Sequence, residues 1–125
     1  MRQILIVEDE KDSREVLAEF LREHDFGVKC TPSGREAIAA MIESPPDLVV
    51  VDLFMPEMDG AGLLEVIRSY LRLQSLPVVV WTGVDDRSLI SRACQFRVNK
   101  VVTKARSTLD DVLAAIVESL PPVAA

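Results

Sequence analysis

Ile4-Leu5-Ile6-Val7-Glu8-Asp9 opens the chain with four apolar residues, three of them β-branched, that stop at two carboxylates. A run of this length and composition reads as a strand covered on both faces. Three further runs end in the same abrupt way. Leu48 to Val51 runs into Asp52, Val78 to Trp81 into Thr82-Gly83, and Val101 to Thr103 into Lys104. Buried parallel strands separated by helices present a ligand-binding rim at their carboxyl ends. Three acids, a hydroxyl and a lysine are therefore expected at a single rim.

Helical periodicity fills the intervals. Val16, Leu17, Phe20 and Leu21 recur at helical spacing, and Asp25-Phe26-Gly27 is expected to end that helix. A short strand, Val28 to Thr31, follows. Ser33 and Glu36 have capping-box spacing before a second helix whose inner stripe is Ala37, Ile38, Met41 and Ile42, stopped by Pro45-Pro46. The loop Phe54 to Gly60 carries Pro and Asp-Gly turn chemistry, and Leu63, Leu64, Ile67 and Leu71 restore the helical period. Pro77 is expected to start the fourth strand. Asp85 or Asp86 caps a helix carrying Leu89, Ile90, Ala93 and Cys94. Ser107 caps a last helix with Leu109, Val112, Leu113, Ile116, Val117 and Leu120 inside. The alternation predicts an α/β, doubly wound (βα)5 three-layer sandwich of flavodoxin-like type. Its parallel five-stranded sheet has the order 2-1-3-4-5.

With 125 residues, 49% of them hydrophobic, the chain fits one domain, read as residues 1-120, with 121-125 as a tail or the start of a linker. A net charge of -6 argues against direct nucleic-acid binding, which needs clustered Lys and Arg. No run is long enough to cross a bilayer, and Met-Arg-Gln-Ile lacks the pattern of a signal peptide, so no membrane association and a cytoplasmic setting are expected. Cys30 and Cys94, widely spaced, read as small hydrophobes within the fold rather than as a disulfide or metal ligands. His24, among charged residues, reads as a solvated surface side chain.

Glu8, Asp9 and Asp52 in one crevice repel one another unless a cation joins them. Oxygen ligands on a shallow rim suit Mg²⁺, which keeps several of its waters. Metal, carboxylate, hydroxyl and lysine are the parts of a phosphoryl-transfer site, in which a protein mainly positions groups and neutralises charge. Asp52, alone at its strand end, is the candidate nucleophile, with Thr82 and Lys104 binding the remaining phosphoryl oxygens. Gly83 keeps the approach beside Thr82 open.

The order and spacing of Val7-Glu8-Asp9, Asp52 to Gly60, Thr82-Gly83 and Thr103-Lys104 resemble the receiver domain of bacterial two-component response regulators, over nearly the whole chain. The resemblance implies a signalling phosphoprotein of a two-component phosphorelay, with Asp52 phosphorylated by a sensor histidine kinase or a histidine phosphotransfer protein. It implies Mg²⁺ held by Asp9 and Asp52 directly, by Glu8 through water and by the backbone carbonyl of Phe54. It also implies a switch read out by a downstream protein or effector domain, and no enzymatic turnover beyond phosphoryl uptake and self-dephosphorylation.

Some positions depart from the family pattern. Ala105 replaces the usual proline after the lysine, Val101 an aromatic switch residue, and Arg97 a glycine that usually ends the fourth helix. Phe54 and Val84, both apolar, flank the phosphoryl position and predict a long-lived phosphorylated state. The main alternative is a receiver-like interaction module that works without phosphorylation. A haloacid dehalogenase-type phosphatase would need a second acid where Phe54 stands, and no glycine-rich nucleotide loop follows the first strand. Self-association through the last two helices is compatible with the sequence, though no feature establishes it.

Overall fold

The computed structural model describes residues 1-83 and 87-122. Each apolar run forms a strand: β1 (Gln3–Val7), β2 (Gly27–Thr31), β3 (Leu48–Val51), β4 (Val78–Thr82) and β5 (Lys100–Thr103). Between and after them lie α1 (Lys11–Glu23), α2 (Gly34–Glu43), α3 (Gly60–Ser69), α4 (Arg87–Cys94) and α5 (Leu109–Ser119). All the pairings are parallel and the order is β2-β1-β3-β4-β5, the arrangement the alternation predicts.

Alternation along the strands divides the core into two halves. Leu5, Val7, Val49, Val51, Val78 and Val80 face α2, α3 and α4 through Met41, Leu63, Leu64, Ile67 and Ala93. Ile4, Ile6, Leu48, Val50, Val79 and Trp81 face α1 and α5 through Leu17, Leu21, Val112 and Ile116. Both faces of the sheet are thus dry, which is why β1 and β3 are apolar without alternation. Register then fixes the rim: Val7 pairs with Val51, Val51 with Val80, and Thr82 with Thr103. The residues that follow, Glu8, Asp52 and Lys104, emerge on one edge together with Thr82.

Local chemistry corrects several expectations. The α1 terminus does not use Gly27, which is the first residue of β2; Asp25 adopts the left-handed conformation, with φ 67°. Ser33 caps α2 by accepting from the Glu36 amide at 3.2 Å, as its spacing predicts. Asp59 is a helix cap rather than a turn residue, its side chain accepting from the Gly62 amide at 2.7 Å. The α5 cap is Thr108, not Ser107. Thr108 and Asp111 satisfy each other's backbone amides in a complete capping box, which only the later register allows. Pro77 precedes β4 by one residue, and its carbonyl accepts from Val49 at 3.0 Å.

Five of the expected inner positions are exposed: Val16, Ile42, Leu71 and Val117, together with Cys94. Val16, Ile42 and Val117 each sit at the edge of an apolar stripe, where helices covered on one side meet water. In α1 and α2, Ala18 and Ala40 occupy the buried places. Leu71 falls outside α3 because Ser69 ends it, and Leu73 is the buried residue of the following turn. Ala93 rather than Cys94 points inward from α4, while Cys30 is half-buried. His24 is exposed, its ring 4.5 Å from that of Phe20. The expected caps Asp85 and Asp86 lie outside the described residues, as does Val84. Arg97 makes the turn that glycine would make, at φ 60°, and the Lys104–Ala105 peptide is trans.

Candidate functional site

Glu8 and Asp9 extend from β1 and Asp52 from β3, and one carboxylate oxygen from each lies within 4.8 Å of the others. Their exposures differ sharply. Glu8 is 1% exposed and Asp52 8%, whereas Asp9 faces solvent. Backbone bonds fix the two strand ends: the Asp52 amide donates to Val7 at 3.0 Å and the Glu8 amide to Thr31 at 3.1 Å. The Phe54 amide donates to Asp52 Oδ1 at 3.3 Å, which orients that carboxylate. The Phe54 side chain itself is 69% exposed.

Lys104 reaches this cluster from the end of β5. Its Nζ donates to Glu8 Oε1, stands 3.6 Å from Asp52 Oδ2 and lies 4.5 Å above the Trp81 ring. Thr82 is fully buried at the end of β4. The rim therefore brings Glu8, Asp9, Asp52 and Lys104 together, and strand register puts Thr82 beside Thr103, the residue before Lys104. A methyl at Gly83 would meet only Lys104 Cδ, at 3.8 Å, so nothing in the described packing requires glycine there.

Electrostatics mark the cluster as short of positive charge. Burial and the neighbouring Asp52 push the Glu8 carboxyl up to about 8, although Lys104 pulls the other way. Glu8 Oε2 is buried with no hydrogen-bond partner among the described residues. A buried orphaned oxygen in a cluster of three carboxylates is what a hard divalent cation satisfies, so the donor set fits Mg²⁺ or a similar ion. Among the described residues this is the one group of acids, histidines or cysteines close enough to hold a metal.

Sequence reasoning missed three supports. Arg14 in the first turn of α1 donates to the carbonyls of Glu8 at 2.8 Å and Asp9 at 3.3 Å, tying down the acid loop. Trp81, read only as a strand residue, forms the floor beneath Lys104. Gly60 lies directly behind the acid site: a Cβ there would sit 2.5 Å from the Asp52 carbonyl and 2.7 Å from Leu53 Cα. The Asp-Gly pair carried a signal, but it marked a close approach of helix to strand end rather than a turn.

A family model described as the response regulator receiver domain matches residues 4-117. The chain belongs to this family. Receiver domains are modules of two-component signalling rather than turnover enzymes, and the (βα)5 fold and acidic rim are those of the family.

Over 115 residues this receiver is 33% identical to the protein of Rhizobium etli named "Probable chemotaxis protein CheY", covering 91% of the chain and 88% of that protein. Against the transcriptional regulatory protein GltR of Pseudomonas aeruginosa the identity is 32%, covering 70% of this chain but only 36% of the relative. Among solved structures, the receiver domain of a signal transduction histidine kinase from Syntrophus aciditrophicus superposes with a TM-score of 0.82 at 32% identity, covering 94% of this chain and 88% of that one. The Mn²⁺-bound form of the response regulator Rcp1 gives a TM-score of 0.82 at 27% identity, covering 98% and 100%. No helix among the described residues is long and apolar enough to cross a membrane.

Proposed function

We propose that Asp52 is the phosphorylation site of this receiver and that its modification changes which protein the chain binds. The observation that carries this reading is the meeting of Asp52 with Glu8, Asp9, Thr82 and Lys104 at one rim, inside a family whose members act by such a switch. A carboxylate oxygen of Asp52 attacks phosphorus, the bond from phosphorus to the imidazole nitrogen of a phosphohistidine breaks, and the imidazole leaves with the electron pair. The donor is a sensor histidine kinase or a phosphotransfer protein.

Asp9 and Asp52, the backbone carbonyl of Phe54 and, through water, Glu8 are the ligands proposed for Mg²⁺. When bound, Mg²⁺ supplies charge neutralisation at the transferring phosphoryl oxygens. The Mn²⁺-bound form of the relative Rcp1 supports a divalent ion in this fold. Lys104 stands within reach of Asp52 and is the residue proposed to take a phosphoryl oxygen, exchanging its contact with Glu8 for that new charge. Thr82 receives a second oxygen, which draws the end of β4 toward the rim. The unit that switches is residues 1-120. Val101, 37% exposed on β5, is too short to swing between pockets as an aromatic does, so output is assigned to movement of the β4 and β5 ends themselves.

Intact mass after brief incubation with acetyl phosphate tests the reading. One added phosphoryl group in the presence of Mg²⁺, and none with chelator, is the expected result. No gain, together with Trp81 fluorescence unmoved by Mg²⁺ and beryllofluoride, would instead support an interaction module that works without phosphorylation.

A further inference from the structure

The opposite edge of the sheet carries a concentration of positive charge. Arg68, at the end of α3, donates to five carbonyls: Phe96 at 2.8 Å, Arg97 at 3.1 Å, Leu73 at 3.3 Å, Gln74 at 3.0 Å and Leu76 at 2.8 Å. Arg97, in the turn between α4 and β5, donates from Nη2 to the Gln74 carbonyl at 2.9 Å. No carboxylate lies within ion-pair distance of either guanidinium among the described residues. Burial and the charge of Arg97 both disfavour the protonated form of Arg68, as two unneutralised cations require.

These side chains line a cavity of about 400 Å³ with Gln74, Ser75, Asn99 and Ser119. The free groups there are mostly donors. Asn99 spends its Oδ1 on the Val78 amide at 2.9 Å, leaving its NH₂. Ser119 Oγ is buried without a partner among the described residues. Arg97 uses one of its five guanidinium protons, and it holds a left-handed φ of 60° where glycine would be unstrained. Carbonyl dipoles satisfy the hydrogen bonds of Arg68 but supply no counter-charge.

We propose that this cavity is a second ligand site, which binds a multiply charged oxyanion, phosphate ester or polycarboxylate, on a small molecule. Arg68 and Arg97 supply the charge, and Asn99 and Ser119 the orienting donors. A bound anion links the end of α3, the entry to β4 and the α4 to β5 turn, so the ligand stiffens the face beside α4.

The test is a titration of isotopically labelled protein, followed by amide NMR, with inorganic phosphate and with citrate at matched ionic strength in chloride. Mg²⁺ and beryllofluoride are present throughout to compete for the acid rim. Val78 and Thr82 mark opposite ends of β4, roughly 13 Å apart at strand rise, so signals from the two edges are separable. Saturable shifts at Arg68, Ser75, Arg97, Asn99 and Ser119 are expected, and the anion that saturates tells which chemistry is taken. Arg97→Gln is expected to weaken binding about tenfold and Ser119→Ala severalfold, with the remaining spectrum unchanged. Arg68→Gln is avoided because five carbonyls depend on it. Shifts confined to Thr82, Gly83 and Lys104, a response without saturation for both anions, or undiminished binding by Arg97→Gln would overturn the proposal.

Discussion

Replacing Glu8 by glutamine removes one ionisable group from a nearly sealed position while keeping its shape. Without a metal, burial and the neighbouring Asp52 push the Glu8 carboxyl up to about 8, from 4.5 for the unperturbed group. The folded state therefore holds a proton that the unfolded chain releases, and stability is greatest below the unfolded value and falls as pH rises toward the folded one. Between pH 5 and pH 8 the loss integrates to on the order of 3 kcal/mol, since a full pKa unit is worth about 1.4 kcal/mol. Divalent cation removes this pH dependence, because it binds the ionised form and displaces the proton. Urea unfolding followed by circular dichroism, in chelator, at several pH values across that window measures the effect. Wild type is expected to lose stability with rising pH relative to Glu8→Gln, and saturating Mg²⁺ to abolish that difference in slope. Parallel pH profiles in chelator would refute the reasoning, for they would mean that Glu8 ionises in the fold as readily as in water.

Gly60→Ala is expected to destabilise the fold by about 1–3 kcal/mol, the usual range for overpacking, because the Asp52 carbonyl and Leu53 Cα behind it are backbone and cannot give way. Thermal unfolding measures this, and an unchanged midpoint would show that α3 moves freely relative to β3. Phe54→Asn places an amide where an exposed apolar ring now flanks Asp52, and it is expected to shorten the lifetime of the phosphorylated form severalfold. Loss of the added mass over time after removal of acetyl phosphate follows this directly. Arg14→Met is expected to weaken Mg²⁺ binding without altering the fold, because it frees the carbonyls of Glu8 and Asp9. A Trp81 fluorescence titration with Mg²⁺ checks it.

The strand ends were legible because one physical rule, continuous apolar runs for strands buried on both faces, marks both the sheet and its rim. Val51-Asp52 announces a core residue and a site residue in two adjacent letters. Helix edges were less legible. Val16, Ile42 and Val117 fit the period yet lie just past the covered sector, and hydropathy does not distinguish the inside of a stripe from its margin. Ser107 and Thr108 are both competent caps, and only the bond from Asp111 back to the Thr108 amide decides between them. The roles of Arg14, Trp81 and Gly60 depend on which distant backbone they meet, and local pattern carries no such information. Arg97 stands where glycine is usual, yet its turn keeps the left-handed geometry with a side chain attached.

Borohydride reduction of the acetyl phosphate-treated protein, followed by peptide mass spectrometry, locates the acyl phosphate among three acids whose oxygens lie within 4.8 Å of one another. Conversion of Asp52 alone, absent in Asp52→Asn and absent without Mg²⁺, is the result this account predicts. Conversion at Glu8 or Asp9, or of no acid in a protein that has gained phosphoryl mass, would contradict it.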